Sequence, residues 1–293
     1  MTDQLVSIDD DVCEAGRSAC QQLLRTAACG SIRYFAEVDS TNSAAARELA
    51  TATVDAAMLP RLYLADRQTA GRGRLGKQWV ADAGTLTFSL LCGTPSTASE
   101  VPQDRASTER PGWLPPGSGP LVGLSVGVAV ARTIEFLAAP VTARIKWPND
   151  VYVGGGKVAG VLVETVANHP DRFVVGIGLN VATDLSAFAE QIDQPADSLE
   201  RLARGPHQRY EWLPELIAQL HVCFESLWSG PELLLAELRR RCLLTGTLVR
   251  LNVGDFRHEG RCVGIDESGS LLIHDGDRIR AFRSGEASQV RGR

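Results

Sequence analysis

No two of the seven cysteines, Cys13, Cys20, Cys29, Cys92, Cys223, Cys242 and Cys262, stand in a CxxC pair, and their number is odd. A disulfide framework is therefore not expected, and a reducing cytoplasm is the simpler setting, with each thiol a small buried hydrophobe or an incidental surface group. A basic excess is also missing: the formal net charge is -5, which argues against a general nucleic-acid binder and confines any cationic chemistry to local patches. The start, MTDQLVSIDDDV, is acidic and has neither the basic opening nor the apolar core of a signal peptide. The long uncharged run, Pro111 to Ala131, opens with prolines and glycines, so its helical part is expected to be too short to span a bilayer. Residues 1–30 hold one expected helix, with Val12, Ala15, Ala19 and Leu23 near helical spacing. A helix-turn-helix module needs about three helices, so no DNA-reading module is expected there.

What is present leaves room in 293 residues for one substantial core and a second small domain, in a chain with 44% hydrophobic and 22% charged residues. The stretch hardest to justify as scaffold is Asp66 to Trp79, DRQTAGRGRLGKQW, directly after the apolar run Leu62-Tyr63-Leu64-Ala65, which reads as a buried strand. A strand thus hands over to a glycine-rich loop in which Arg72, Arg74 and Lys77 supply fixed positive charge for a phosphate or a carboxylate. Gly71 to Lys77 also fits GxxxxGK, but a nucleotide-binding P-loop needs Ser or Thr next and then a helix, whereas Gln78 follows and Gly84 to Leu91 is a β-rich run. The P-loop reading fails on both counts.

Other segments carry weaker marks of chemistry. Ile32 to Val38 reads as a strand, and Ser40-Thr41-Asn42 then precede an alanine-rich helix, Ser43 to Ala50; N-capping accounts for one short polar residue there, not three. Thr94 to Pro120 holds six of the fourteen prolines and reads as a mobile insertion, followed by a helix apolar almost all round, Leu121 to Ala139. Ala143 to Trp147 is a short strand stopped by Pro148, which leaves Lys146 at a strand end, where sites of mixed folds open. Val151–Val153 and Val158–Val163 form an expected hairpin around Gly154–Gly156, and Phe173 to Gly178 is the next strand, with Gly176 and Gly178 placed either for packing or for close approach of a ligand. Two amphipathic helices, Arg209–Trp228 and Glu232–Arg241, lead to short alternating runs from Thr247 that have the spacing of a small all-β barrel.

Five blocks, DSTN at Asp39–Asn42, GRGRLGKQW at Gly71–Trp79, KWPNDV at Lys146–Val151, GGGKVAGVLVE at Gly154–Glu164 and GIGLNV at Gly176–Val181, resemble in order and spacing those of the biotin protein ligases. The resemblance runs from about Tyr34 to the C-terminus. It implies an α+β fold, a mixed sheet flanked by helices as in the biotin/lipoate ligase catalytic fold and class II aminoacyl-tRNA synthetases, followed by a small Src-homology-3-like barrel. The implied division is a 1–30 extension, a 31–242 catalytic domain with the 94–120 insertion, and a 243–293 barrel. The implied reaction joins biotin to AMP from ATP with Mg2+, then passes biotin to a lysine of a carrier domain of a biotin-dependent carboxylase, in the cytoplasm, with neither DNA nor membrane as partner. Lipoate ligases share the fold and the acyl-adenylate chemistry, and a non-catalytic biotin- or nucleotide-binding regulator is a second alternative.

By resemblance, Ser40, Thr41 and Asn42 recognise the ureido ring of biotin, whose two N–H donors and one C=O need matched polar partners. Gln68 and Gly73 complete the biotin-facing wall. Lys146 contacts the carboxylate and the acyl phosphate, and together with Arg72 and Arg74 it forms the implied catalytic set, with Lys77 a weaker fourth cation. Gly71, Trp79, Asn149, Gly160 and Asn180 are further implied contacts, and no metal-ligating side chain is implied. Asn149 and Asp150 either orient Lys146 or cap the turn. Lys77 and Leu75 stand where the family often has arginine, so a looser hold on the intermediate is expected.

Overall fold

β-Branched and leucine-rich runs occupy the middle of the fold in the computed structural model, which describes residues 6–52, 54–94, 114–203 and 208–290. In chain order the first layer is β1 (Val6–Ile8), α1 (Glu14–Arg25), β2 (Ser31–Val38), α2 (Thr41–Thr51), β3 (Arg61–Gln68) and β4 (Thr85–Gly93). Then come α3 (Gly119–Leu137), β5 (Ala143–Lys146), β6 (Asp150–Val153), β7 (Gly156–Val166) and β8 (His169–Asn180). These strands make an eight-stranded sheet in the order β1-β2-β3-β4-β8-β7-β6-β5. The β1–β2 and β2–β3 pairs are parallel and the others antiparallel, so the sheet is mixed and the fold α+β, as expected.

β4 explains the centre of this sheet. Every residue of TLTFSLLCG is buried, because the strand has neighbours on both edges and covered faces on both sides; a continuous apolar run, rather than an alternating one, is what such a position demands. α3 is apolar all round for the same reason and packs beneath β5 to β7 and against α5 (Trp212–Ser229), which follows the short α4 (Leu199–Leu202). At 19 residues α3 is long and apolar enough to cross a bilayer by length and composition, contrary to the sequence expectation, but most of it is buried in the core of the fold. α5 turns one stripe inward, Leu213, Leu216, Ile217, Leu220, Cys223, Phe224 and Leu227, at the spacing of 3.6-residue turns.

Several boundaries differ from the sequence reading. The N-terminal segment contributes a strand as well as a helix: β1 pairs with β2, and Ala19, Cys20 and Leu23 of α1 enter the main core, so residues 6–30 are continuous with the large sheet and its core. Val12 is buried but precedes the helix. α2 begins at Thr41, two residues earlier than expected, because Ser40 already has the extended backbone of an N-cap. Residues 95–113 of the expected mobile insertion lie outside the described residues; Leu114, just after them, is buried and its N–H bonds the carbonyl of Gly93.

After α6 (Glu232–Arg241) the chain forms β9 (Leu248–Val253), β10 (Phe256–Ile265), β11 (Leu271–His274), β12 (Ile279–Phe282) and β13 (Glu286–Gln289), an antiparallel five-stranded sheet in the order β12-β11-β10-β9-β13. It is bolted to the larger layer. The buried Trp147 donates its indole N–H to the Gly269 carbonyl (3.0 Å), Arg239 bonds the Ile265 carbonyl (2.7 Å), and Arg144 bonds the carbonyls of Arg241 and Cys242. Gly269 sits at φ +83° against Leu121 and Leu124 with no space for a side chain. These contacts bring the β12–β13 turn to the edge of the large sheet.

Candidate active site

Strand-end geometry builds a cleft of about 280 Å³ where β3, β7 and β8 release their connections. Its floor is made by glycines for steric reasons. A Cβ on Gly178 would lie 2.3 Å from the Trp79 ring, one on Gly160 3.0 Å from the same ring, and one on Gly176 2.2 Å from Asn42 Oδ1. The sheet therefore carries no side chain where Trp79 and Asn42 must lie. Trp79 closes the loop between β3 and β4, its N–H bonding the Gly71 carbonyl (3.0 Å), and its own indole N–H is buried without a partner.

One wall is polar and rigid. Gln68, at the end of β3, accepts from the Thr41 backbone N–H (2.8 Å) and hydroxyl (3.1 Å). Asn42 donates to Glu164 Oε2 (2.7 Å) and the Leu162 carbonyl (3.3 Å), while its Oδ1 accepts from Ser89 (2.6 Å), whose oxygen also lies 2.7 Å from the Thr41 hydroxyl. Ser40 makes no side-chain capping bond, and Thr41 and Asn42 belong to the first turn of α2 with their side chains committed sideways, so capping does not explain this trio. All three are buried and line the cleft.

The opposite wall is cationic. Arg72 joins it to the polar wall, donating to the Glu164 Oε2 (2.8 Å) that also accepts from Asn42. Arg74 is half-buried and, among the described residues, meets only two long neutral acceptors, Asn149 Oδ1 and the Gly285 carbonyl, each at 3.4 Å; burial pushes its pKa down, with Asp150 and Glu286 opposing. Lys146 bonds Gln194 (3.3 Å) and lies 5.8 Å from the Tyr152 ring centre, and burial lowers its pKa despite the nearby Asp150. Lys157 stands 2.7 Å from Asp150 and 5.4 Å from the Trp79 ring centre, over the glycine floor. Lys77 is bound by Glu286 and by Asp193 (3.1 Å); the Glu286 hydrogen bond raises its pKa against the cost of burial, with Asp193 adding to the rise. A half-buried, under-bonded guanidinium in a cleft that lysines also line is an arrangement that an anionic ligand would complete.

The sequence-derived set converges with few exceptions. Ser40, Thr41, Asn42, Gln68, Arg72, Gly73, Arg74, Trp79, Lys146, Asn149, Gly160 and Asn180 all line the cleft. Gly71 lies behind it, where a Cβ would meet the Trp79 carbonyl at 2.4 Å. Asn180 is buried, donates to the Asp197 carbonyl (3.2 Å), and leaves its Oδ1 without a partner. Asn149 and Asp150, for which orienting Lys146 and capping the turn both stood open, bond other groups. Asn149 is tied to Val161 through side chain (2.8 Å) and backbone (3.0 Å) and turns its oxygen to Arg74, whereas Asp150 faces Lys157.

Sequence reasoning missed Lys157, Gln194 and the Gly285–Glu286 turn as parts of the cleft, and Ser89 and Glu164 as the residues that hold Asn42 and Arg72 in it. Lys157 had a signal: it closes the triple-glycine turn inside a block already singled out. Glu164 ends the same block, whereas Ser89 lies inside a strand and Gln194 and the Gly285–Glu286 turn come from distant segments that no local pattern marks. Among the described residues no group of three or more His, Cys, Asp or Glu could hold a metal ion.

Comparison with known proteins agrees over most of the chain. The model of the Biotin/lipoate A/B protein ligase family matches residues 34–106 and 115–180, and that of the Biotin protein ligase C terminal domain matches residues 245–289. The chain is 31% identical to the biotin–[acetyl-CoA-carboxylase] ligase of Mycobacterium tuberculosis over 87% of its own length and 88% of the relative's. It is 29% identical to the bifunctional ligase/repressor BirA of Bacillus subtilis, covering 90% of this chain and 75% of that one. Among solved structures, the biotin protein ligase of Aquifex aeolicus in complex with biotin and ATP superposes with a TM-score of 0.70 at 27% identity, over 89% of this chain and 99% of that one.

Proposed function

This chain belongs to the biotin protein ligase family, and from that premise we propose that its cleft activates biotin with ATP, forming biotinyl-5'-AMP and pyrophosphate, and then transfers biotin to a lysine of a carboxylase carrier domain. The observation that carries the reading is the meeting, in one cleft, of a rigid polar wall and a cationic wall across a glycine floor. The Gln68–Thr41–Asn42–Ser89 network fixes donors and acceptors at one end, as a ureido ring requires. Arg74, Lys146 and Lys157 stand toward the other end, where a carboxylate oxygen must approach the α-phosphorus, and Arg72 lies next to the polar network, on the same Glu164 oxygen as Asn42.

That approach sets the electrostatic demand. The carboxylate and the phosphate are both anions, and pyrophosphate leaves with further charge, so cations preorganised in a water-poor site lower the barrier. The contact with the reacting carboxylate and phosphoryl oxygens that the resemblance implied for Lys146 we assign instead to Lys157, lying over the glycine floor beside Trp79, acting with Arg72; Lys146 and Arg74 serve the phosphates nearer Gln194 and the β12–β13 turn. Mg2+ enters on the ATP phosphates and neutralises part of their charge. In the second step the carrier lysine, as the free amine, attacks the acyl carbon, the C–O bond of the mixed anhydride breaks, and AMP leaves with the bonding pair. Acetyl-CoA carboxylase is the carboxylase class that the relatives' names support.

The test is to incubate the protein with biotin, ATP, Mg2+ and a carrier domain and to weigh the carrier. A gain of one biotinyl group on a single lysine, with pyrophosphate release, is expected. Preference for lipoate, or ligand binding without pyrophosphate, overturns the reading.

A further inference from the structure

Outside the cleft lies a buried polar cluster that the proposed chemistry does not use, where α5 is entered. The ladder between β3 and β4 ends at Ala65 and Thr87; beyond it the strands part to release the connection that bears Gln68, Arg72, Arg74 and Trp79. Into that fork comes Arg209, 9% exposed, whose Nη1 donates to the carbonyls of Asp66 (2.9 Å) and Thr85 (3.0 Å), one from each stem. Its Nη2 donates to Asp66 Oδ1 (3.0 Å), which also accepts from Tyr34 (2.8 Å) and Tyr210, while Asp66 Oδ2 accepts from the Cys13 N–H (2.8 Å). A guanidinium thus replaces the missing rungs of the ladder, which a fork otherwise leaves as unpaired buried carbonyls.

The same fork reaches the second segment that covers the cleft, the connection after β8 that carries Asp193 and Gln194. Asp82, at the far stem, accepts the Asp184 N–H at Oδ2 (2.8 Å) and the Gly84 N–H at Oδ1 (2.8 Å). Thr85 and Thr183 share a hydroxyl contact (2.9 Å), and Ala182 N–H bonds the Gly84 carbonyl (3.0 Å). The stems of both connections are therefore locked together at one place.

We infer that Arg209 is a positioning residue for the ligase reaction, holding closed the stems of the two cleft-covering segments so that Gln68, the arginines and Gln194 meet the same ligand. It touches no reacting atom. Its loss makes each segment order itself at the expense of ligand binding, so apparent affinity falls more than turnover at saturation.

The proposal rests on the ligase reading, and the experiment separates the two. Arg209→Lys keeps a charge for Asp66 but puts its donors on a single nitrogen, so it loses the planar fork that serves both carbonyls from Nη1 and the carboxylate from Nη2; Tyr210→Phe removes a bond to the same Asp66 without touching the fork. In pyrophosphate-release kinetics Arg209→Lys should raise the KM for biotin about ten-fold with kcat changed by less than about three-fold, while Tyr210→Phe lowers the melting temperature and leaves KM unmoved. Trypsin should cut the ligand-free Arg209→Lys protein faster at Arg72, Arg74 or Lys77, a readout that needs no activity. Asp82→Ala, which removes the bond to the Asp184 N–H together with the Gly84 bond on its own stem and leaves Arg209 in place, should shift KM in the same direction if Arg209→Lys folds poorly. Parental KM and cleavage in both variants, or an equal KM shift in Tyr210→Phe, overturns the inference; absence of pyrophosphate release by the parent overturns the ligase reading instead.

Discussion

Lys146 and Lys157 illustrate how burial decides what a lysine does. Burial lowers the Lys146 pKa from its usual 10.5, so at neutral pH the folded protein carries a charge it would hold more cheaply in water. The folded state then binds fewer protons than the unfolded chain between the lowered value and 10.5, and stability rises with pH across that window. Lys146→Met should flatten this rise and increase the neutral-pH melting temperature while slowing pyrophosphate release. Lys157→Ala should slow the same step by about a hundred- to a thousand-fold, the typical loss for one preorganised charge, with the fold intact by circular dichroism. Turnover within a few-fold of the parent would remove Lys157 from the chemistry. Gly178 gives a second residue-level outcome. Its Cβ would intrude to 2.3 Å from Trp79, so Gly178→Ala should expel the ring, seen as a change in tryptophan emission together with weaker biotin binding by calorimetry.

At the scale of elements, the cationic connection between β3 and β4 is not a free loop. Arg72 is engaged by Glu164, and Lys77 by Asp193 and Glu286, so two of its three cations are paired by three other segments while Arg74 meets neutral acceptors. Leu75 at its tip is 71% exposed and adopts φ +56°, a conformation that costs a branched side chain about 1 kcal/mol. A small apolar contribution and a strained tip leave the segment dependent on its ligand for order, so biotin with ATP should protect Arg72, Arg74 and Lys77 from trypsin more than biotin alone. Equal cleavage with and without the bound intermediate would exclude a covering role.

The α3–α6 contact is the opposite case, a permanent one. Arg241 is 9% exposed and bonds Glu135 (2.6 and 2.8 Å) and Glu237 (2.9 Å). Burial alone would push both carboxyls up, yet their bonds, to Arg241 for Glu135 and to Arg132 and Arg241 for Glu237, hold them below 4.5. That stability is complete above the ordinary carboxylate range and is lost as pH falls through the lowered values. Arg241→Ala should cost about 3 kcal/mol at neutral pH in denaturant melts, because it strands Glu135 and leaves Glu237 to Arg132 alone, and should shallow the acid limb of the stability curve.

For the whole molecule, the C-terminal sheet is part of the cleft and not an appendage, since Gly285 and Glu286 reach Arg74 and Lys77. The Lys77 pairs are substantially exposed, and exposed pairs contribute about 0–1 kcal/mol each. Glu286→Gln should therefore raise the escape of free biotinyl-AMP by less than about five-fold, measured as adenylate in solution during turnover without carrier. A larger leak would mean that Glu286 contacts the intermediate itself.

Local chemistry made much of this molecule readable from its sequence. A run such as TLTFSLLCG can only be a strand covered on both faces, the stripe of α5 can only be one face of a helix, and glycine-rich cationic turns after strands are poor scaffold, so the mixed sheet, the flanking helices, the terminal all-β unit and most of the cleft residues followed from pattern and from five blocks in register. The first strand escaped notice because Val6–Ile8 is too short to show a period and exists only through its pairing with β2. Partnership was beyond the sequence altogether. Whether Asn149 served Lys146 or Arg74, why Gly176 and Gly178 are glycines, that Lys157 shares the cleft, and that Arg209 seals a fork more than a hundred residues upstream were all decided by which strands lie side by side. Residue spacing encodes an element because that geometry is local, whereas a side chain's partner depends on distances set only once the sheet has closed and the chain entropy opposing those contacts has been overcome.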